Sequence, residues 1–404
     1  MKSLESSCVY PVPKGWSLYS VDAIKADEAN SCVAGPFGSE ISSRYFVDEG
    51  VPVIRGSNLK DDLTRFVPEG FAFVSDDRAR HYQPQHVRAN DLVFTCWGTV
   101  GQVGLIPADG PYSEYIISNK QLKLRVNQHL ADPLFCFYYF ASPAYAGYVR
   151  NRGIGGAVPG INLGILKSLL IALPPLPVQK RIASLLGAYD DLIQNNRRRM
   201  KLLEEAARQL YQEWFVRLRF PGHMHTHVID GVPEAWERRP LAECLTLKRG
   251  HDLPEAKRVP GTIPIVSSSG ITGFHAEKKA DGPGIVTGRY GTLGQVYFVE
   301  GDYWPHNTAL YVSDFKGNSP RVLFYFLKQV LENAQSNNAA VPGLNRNVLH
   351  TLKVLWPSAT LRKHFDEFVE PVFRQLGILR RMNEKLRAAR NLLLPRLMSG
   401  EIAV

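Results

Sequence analysis

A chain of 404 residues is longer than a single hydrophobic core usually supports, so its length predicts two domains. The hydrophobic fraction of 45% is that of a globular protein and excludes a disordered or fibrous chain. A formal net charge of +10 favours an acidic partner such as nucleic acid, and a merely basic surface is the plain alternative.

The cysteines and the apolar runs indicate where the protein works. Five cysteines at wide, irregular spacings predict reduced structural thiols, and they favour neither a disulfide framework nor a zinc site. The N-terminus MKSLESSCVYP has no apolar signal region, and prolines interrupt the most apolar run, LKSLLIALPPLPV. We therefore expect a cytoplasmic protein without a membrane segment.

The first half of the chain predicts short strands followed by helix. VPVI (51–54) and DLVFTCWGTVGQVGLI (91–106) have the β-branched and aromatic runs, broken by glycine, of strands joined by tight turns. FCFYYFASPAYAGYV (135–149) predicts helix. AVPGIN (157–162) predicts a turn, and LLIALPP (169–175) predicts a short strand that follows it.

A heptad pattern follows this strand. Between residues 189 and 214 the steps are alternately four and three, the spacing of a coiled-coil seam. The pattern predicts a helix of about 26–30 residues, spanning about 40–45 Å. Asp190 and Asp191 are interpreted as opening that helix, where their charges suit its dipole. The seam residues are Tyr189, Ile193, Asn196, Met200, Leu203, Ala207, Leu210 and Trp214.

The second half repeats these blocks in the same order. VPKGW (12–16) matches VPEAW (232–236), VPVI matches IPIV (263–266), and GTVGQV (98–103) matches GTLGQV (291–296). AVPGIN matches AVPGLN (340–345), and the helical RVLFYFLKQVLENA and the strand LKVLWP correspond to those of the first half. Matches that keep their order indicate a duplicated domain. The second seam is Val372, Leu376, Leu379, Asn383, Leu386, Arg390, Leu393 and Leu397.

The matching seams predict that the two long helices pack on each other, antiparallel, with a globular domain between them in sequence. Two amphipathic helices that each pack on their own domain are the alternative. The fold class is α/β (α+β), with two β-rich domains that repeat each other. The predicted boundaries are 1–175 for the first domain, 176–218 for the central helix, 219–358 for the second domain and 359–404 for the C-terminal helix.

Motifs for catalysis are missing from the sequence. Gly-Lys never occurs, so no P-loop is present, and GRYGTLG (288–294) is interpreted as a hairpin turn because it lies between β-type runs. His223, His225 and His227 could ligate a metal on one strand face, but a solvated linker is the preferred interpretation. These observations favour a recognition protein that has no catalytic site of its own.

LIALPPLPVQKRIASLLGAYDDLI, the basic helix after it and QLYQEWFVRLRFPG closely resemble specificity subunits of type I restriction–modification systems. LPRLMSGEI resembles the end of that family's C-terminal helix, and the variable halves resemble its target-recognition domains. Arg390, which aligns with Ala207 of the first seam, departs from the pattern.

The resemblance implies a non-catalytic subunit that reads an asymmetric, interrupted site in double-stranded DNA, one half per domain. It implies two methyltransferase subunits as partners, which carry S-adenosylmethionine, and restriction subunits that use ATP and Mg. No cofactor or metal is expected on this chain itself. A self-sufficient nuclease or methyltransferase and a pure protein scaffold are the rival functions.

Candidate DNA contacts are polar, basic or aromatic residues in the loops, where Arg, Lys and amides could meet bases and phosphates. For each of them, an ordinary surface charge or a packed ring is the alternative. A basic run on the central helix has three interpretations, which are a solvated helix face, a DNA contact and a contact with a partner subunit. It comprises Arg197, Arg198, Arg199 and Lys201. The loop candidates are Arg44, Tyr45, Arg55, Asn58, Lys60, Arg78, Arg80, Trp97, Lys120, Lys248, Arg249, Lys257, Arg258, Ser268, His275, Lys278, Lys279, Arg289 and Tyr290.

Overall fold

The computed structural model describes residues 8–38, 40–151, 160–289, 294–336 and 345–404. The chain divides into two compact units. The first comprises residues 1–195 together with 383–404, and the second comprises residues 196–382. None of the helices in the described ranges is long and apolar enough to cross a bilayer.

The described residues of the first unit form three sheets. A two-stranded antiparallel sheet pairs Ser17–Ser20 with Leu170–Leu173. An antiparallel sheet has the strand order Cys32–Ala34, Gln121–Leu124, Leu92–Thr95, Val103–Leu105. A mixed five-stranded sheet has the order Phe46–Val47, Ala72–Val74, Val51–Ile54, Tyr115–Ile117, His86–Val87. The helix Pro133–Phe140, which Asp132 caps, is buried from Phe135 to Phe140 in the unit's core.

The second unit repeats this arrangement. Glu237–Pro240 pairs with Lys353–Trp356, and a four-stranded sheet has the order Thr246–Arg249, Ala309–Asp314, Gly284–Gly288, Val296–Val299. The third sheet is smaller, with the order Gly270–His275, Ile263–Ser267, Trp304–Pro305, and a helix spans Pro320–Ser336. The aligned strands Val51–Ile54 and Ile263–Ser267 each make a parallel pair, with Tyr115–Ile117 and Trp304–Pro305. The duplication and the mixed fold class are therefore confirmed.

The two hexapeptides end in equivalent helix caps. Asn162 accepts a hydrogen bond from the Ile165 amide, and Asn345 accepts one from the Asn347 amide. Each caps a one-and-a-half-turn helix, Leu163–Ser168 or Arg346–Thr351. This short helix, which the sequence patterns did not predict, lies between the turn and the predicted strand in each copy. Residues 157–159 and 340–344, which complete the two hexapeptides apart from Gly160 and Ile161, lie outside the described ranges.

The two long helices are longer than the heptads predicted. The central helix spans Leu176–Tyr211 and continues as a π-helical turn, Gln212–Val216, and the C-terminal helix spans Ala359–Met398. At 1.5 Å per residue they extend about 54 and about 60 Å. The prediction that Asp190 and Asp191 open the central helix is wrong, because they lie four turns inside it. Pro177, which is tolerated in a first turn, marks the true start.

Within each unit the two helices run antiparallel. In the first unit, Ile182 and Leu186 share a core cluster with Leu394 and Leu397, and Arg181 Nε donates to the carbonyl of Val404 at 3.1 Å. All eight residues of each predicted seam are buried or half-buried.

In the second unit, the Trp214 ring lies 5.9 Å from that of Phe365, and Arg380 pairs with Glu204 at 3.3 Å. Phe365 and Val369 also belong to the core of the unit's own domain. Both packing alternatives thus hold together, since each helix contacts its partner helix and its domain.

Arg390, the residue that departs from the seam pattern, makes a buried ion pair. Its Nη1 donates to Asp190, and the two side chains are 4% and 6% exposed. Arg390 Nη2 also donates to the Asp62 carbonyl at 3.0 Å, and the Tyr138 hydroxyl donates to the other Asp190 oxygen. Burial raises the pKa of Tyr138, which keeps this donor protonated. The network joins the C-terminal helix, the central helix and the first domain.

We predict that Arg390→Ala lowers the free energy of unfolding by about 3–5 kcal/mol, because it leaves the buried Asp190 carboxylate without its cation. Urea unfolding measures the loss. Arg396→Ala is the matched control on the same helix, since its side chain is 48% exposed, and we expect a change within about 0.5 kcal/mol. An equal effect of both variants would contradict a specific role for the pair.

Candidate nucleic-acid interface

In the first unit, the loops that follow neighbouring strands meet at one corner. Ser118, after the strand Tyr115–Ile117, donates its amide to the Ile54 carbonyl at 3.2 Å, which places it beside Arg55. The Cys96 amide donates to the Lys120 carbonyl at 2.8 Å, next to Trp97. Main-chain hydrogen bonds therefore bring three predicted residues together. We call Arg55, Trp97, Asn119 and Lys120 the first loop face.

The side chains of the first loop face are available to a ligand. Arg55, Asn119 and Lys120 are exposed, and Trp97 is 48% exposed. The Trp97 ring also covers Gly160, where an added Cβ would approach the ring to 2.5 Å. Trp97 therefore packs on the hexapeptide with one part of its surface and leaves the rest open.

The second unit builds the same corner from different residues. The His306 amide donates to the Val266 carbonyl at 2.8 Å, and the Arg289 amide donates to the Thr308 carbonyl at 3.2 Å. The guanidinium groups of Arg249 and Arg289 both donate to the Asn307 carbonyl, at 3.3 and 3.4 Å. We call Arg249, Ser268, Arg289 and Asn307 the second loop face.

Asn119 and Asn307 are members of these faces that sequence reasoning missed. Each follows the second strand of its domain's parallel pair and precedes a leucine by three residues, Leu122 or Leu310. This repeated spacing was visible in the sequence. Asn119 Nδ2 donates to the Gly38 carbonyl at 2.8 Å, and Asn307 Nδ2 donates to Asp252 at 2.5 Å.

A second group of candidates lies around the Tyr45 ring. The guanidinium carbons of Arg44 and Arg78 lie 4.5 and 4.0 Å from its centroid. Arg78 also donates to the Glu40 carbonyl at 2.9 Å and to the Tyr82 hydroxyl at 3.0 Å, so it holds the loop in place. Arg44 is the exposed cation of the stack.

The remaining candidates are scattered or already paired. Lys60, Lys248 and Lys257 are exposed, and Arg258 is half-buried. Arg80 pairs with Asp77 at 2.9 Å. Lys278 pairs with Asp281 and Asp302, each at 2.7 Å, and the hydrogen bonds to these carboxylates raise the pKa of Lys278. The Lys279 ammonium lies 5.1 Å from the centroid of the Trp304 ring. Tyr290 and most of the predicted hairpin turn lie outside the described residues, but the strands Gly284–Gly288 and Val296–Val299 that flank them pair antiparallel.

Two candidates are corrected to internal, structural positions. Asn58 is fully buried, accepts from the Arg55 amide at 2.9 Å, and donates to the carbonyls of Val67 and Glu69 at 3.0 and 2.9 Å. His275 is 4% exposed and accepts from the Val259 amide at 3.0 Å. Both side chains satisfy groups of their own domain, so we assign them to loop stability.

The chemistry of the two loop faces suits polar recognition. Guanidinium and carboxamide groups can make paired hydrogen bonds with base edges, and lysines suit phosphates. Burial, together with the charges of Lys248 and Lys279, lowers the pKa of His251, so this neighbouring imidazole is neutral at pH 7. Within the described ranges, no group of three or more His, Cys, Asp or Glu side chains could hold a metal ion. His223 and His225 lie in an exposed 3₁₀ turn.

Comparison with known proteins identifies the class. The profile of the type I restriction modification DNA specificity domain matches twice, over residues 41–205 and 233–387. The chain therefore belongs to this family of DNA specificity proteins.

Individual relatives agree over most of the chain. It is 21% identical to the MjaIX specificity subunit of Methanocaldococcus jannaschii, covering 97% of this chain and 95% of that subunit. It is 23% identical to the EcoprrI specificity subunit of Escherichia coli, over 67% of each. The crystal structure of the S subunit from M. genitalium superposes with a TM-score of 0.57 at 16% identity, covering 96% of this chain and 98% of that one. This last likeness supports the fold.

We predict that Asn58→Ala destabilises the protein by about 2–3 kcal/mol, because three backbone groups lose the buried side chain that pairs with them. The neighbouring change Arg55→Ala, at an exposed side chain, should alter stability by less than about 0.5 kcal/mol. Thermal and urea unfolding of both variants test the assignment. If the Asn58→Ala protein were as stable as the original but bound DNA less well, Asn58 would be a DNA contact and not a structural residue.

Proposed function

We propose that each domain reads one half of an asymmetric, interrupted site in double-stranded DNA through its loop face. The observation that carries this proposal is that the two loop faces rest on the same main-chain corner but present different side chains. One presents Arg55, Trp97 and Lys120, and the other presents Arg249, Ser268 and Arg289. Two faces of equal construction and unequal chemistry suit two half-sites of different sequence.

We propose further that the long helices separate the two readers and bind the methyltransferase and restriction subunits. The heptad seams and the antiparallel contacts support a rigid spacer. In this proposal the chain is non-catalytic. The partners carry S-adenosylmethionine, ATP and Mg, and the complex works in the cytoplasm, where the DNA is.

Both loop faces contribute salt-sensitive and specific interactions. Lysines and arginines that meet phosphates release counterions, so affinity falls steeply as salt rises. Arginine or asparagine at a base edge contributes discrimination of about 1–3 kcal/mol for each good contact. The net charge of +10 supports the first effect and the composition of the faces supports the second.

We predict that Arg55→Ala weakens binding to the half-site of the first domain by about 1–3 kcal/mol and leaves discrimination at the other half-site unchanged. Arg249→Ala is the matched variant, with the opposite pattern. Binding of duplexes mutated in either half-site, assayed with the reconstituted methyltransferase complex, separates the two. Equal loss at both half-sites in either variant would show a structural role.

A second prediction concerns the spacer. Inserting one heptad at matched levels of both long helices adds about 10 Å of helix, which corresponds to about three base pairs. The preferred gap between half-sites should lengthen by that amount while each half-site sequence is kept. Mapping of methylated adenines reports both. An unchanged gap would refute the spacer role.

A further inference from the structure

In the first unit, a segment of the chain covers the outer strand of the four-stranded sheet. Residues 59–66 run along Val103–Leu105, and the Leu105 amide donates to the Arg65 carbonyl at 2.8 Å. Gly104 permits this approach, since a Cβ there would lie 2.4 Å from Leu59. Leu63, 3% exposed, inserts into the core. We call residues 59–66 the covering segment.

The covering segment also fills the space between the sheet and the two long helices. Arg65 donates to the Tyr138 hydroxyl at 3.3 Å and to the Gly187 carbonyl at 3.1 Å, and it pairs with Asp191 at 3.0 Å. On its other side the Asp62 carbonyl accepts from Arg390. The covering segment therefore lies against the acidic pair Asp190 and Asp191 of the central helix, and its own Arg65 pairs with Asp191. We call this place on the first unit the acidic seat.

Among the described residues of the second unit, no segment occupies the equivalent place. After the aligned strand Ile263–Ser267, the chain turns directly into Gly270–His275, so no covering segment follows it. The outer strand Val296–Val299 instead borders a groove of about 770 Å³. The lining of the groove includes the rings of Phe298, Phe324 and Phe373 and the cations of Arg198 and Lys328.

The chemistry of the groove is the reverse of that of the acidic seat in the first unit. Tyr325 corresponds to Tyr138, but Phe373 and Arg374 stand in the positions of Asp190 and Asp191. The Phe373 ring lies 6.0 Å from Tyr325 and 4.6 Å from Phe298. Five cationic and two acidic side chains line the groove. Where the first unit has two carboxylates, the groove of the second unit has aromatic rings at its base, the apolar floor, and mainly cationic side chains around it, the basic rim.

We propose that this groove binds an extended, acidic segment of a partner protein, which takes the place that residues 59–66 occupy in the first unit. The outer strand can bond the segment's backbone, an apolar side chain can rest on Phe298, Phe324 and Phe373, and carboxylates can meet Arg198 and Lys328. The half-buried phenylalanines favour a polypeptide over duplex DNA, whose phosphates would use the rim alone.

The chain itself supplies a probe. A labelled peptide of residues 57–70 with Arg65→Glu carries the covering segment's shape and an acidic group in place of its cation. Fluorescence anisotropy with the full-length protein should give a Kd on the order of 10–100 μM. The unaltered peptide, with Arg65, should bind at least about tenfold more weakly, since a like charge then faces the basic rim.

Two adjacent arginines provide the matched control. Arg198 lines the groove and Arg199 does not, and both are exposed on the same helix. The double variant Arg198→Glu with Lys328→Glu should weaken the Arg65→Glu peptide by about tenfold or more, and Arg199→Glu should leave its binding within about twofold. Circular dichroism of all variants checks that the helices are kept.

Each other outcome overturns the proposal. Absence of binding at 1 mM peptide, equal binding of both peptides, or equal effects of the Arg198 and Arg199 variants would show that the groove does not select an acidic segment. Displacement of the peptide by a short duplex would make it a nucleic-acid groove. The assay contains no bipartite DNA and no other subunit, so its failure would leave the proposed reading of DNA intact. Equally, a failure of the DNA-binding experiments would not affect the proposal for the groove.

Discussion

The buried ion pair between Asp190 and Arg390 joins residues 200 positions apart in the chain. A guanidinium removed from water is stable only beside a matched anion with its other donors satisfied, and here Asp190 and the Asp62 carbonyl do this. The first unit therefore requires the last turns of the C-terminal helix to complete it. Together with the apolar packing of Leu394 and Leu397, this pair joins residues 383–404 to the first compact unit.

The duplicated frame makes the differences between the copies informative. Tyr138 meets Asp190 in the first unit, whereas Tyr325 lies near Phe373, the counterpart of Asp190, in the second. A polar network and an aromatic cluster thus occupy the same position on one framework. Arg65 of the covering segment pairs with Asp191 in the first unit. The absence of such a segment after Ile263–Ser267 and the presence of Arg374 in the position of Asp191 therefore form one consistent alteration.

Much of the architecture could be predicted because it depends on repeated patterns. The heptads located both long helices, and the ordered blocks located the copies. The heptad steps alone did not reach the first turns of the central helix, because Pro177 interrupts the pattern although a first turn tolerates it. The buried roles of Asn58 and His275 were also hidden, since a polar residue after a strand looks the same in sequence whether its partners are bases or buried backbone groups. Asn119 and Asn307 could have been found by comparing the two copies.

The corner beneath each loop face explains why recognition can vary without loss of the fold. The hydrogen bonds from Ser118 to Ile54 and from His306 to Val266 join main-chain atoms. Every residue type has a main-chain carbonyl, and every type except proline has an amide donor. Side chains such as Arg55 and Lys120 point outward and contribute little to stability. Substitution at these positions can therefore change what is recognised while the corner persists. In the helices the opposite holds, because Arg390 cannot change unless Asp190 changes with it.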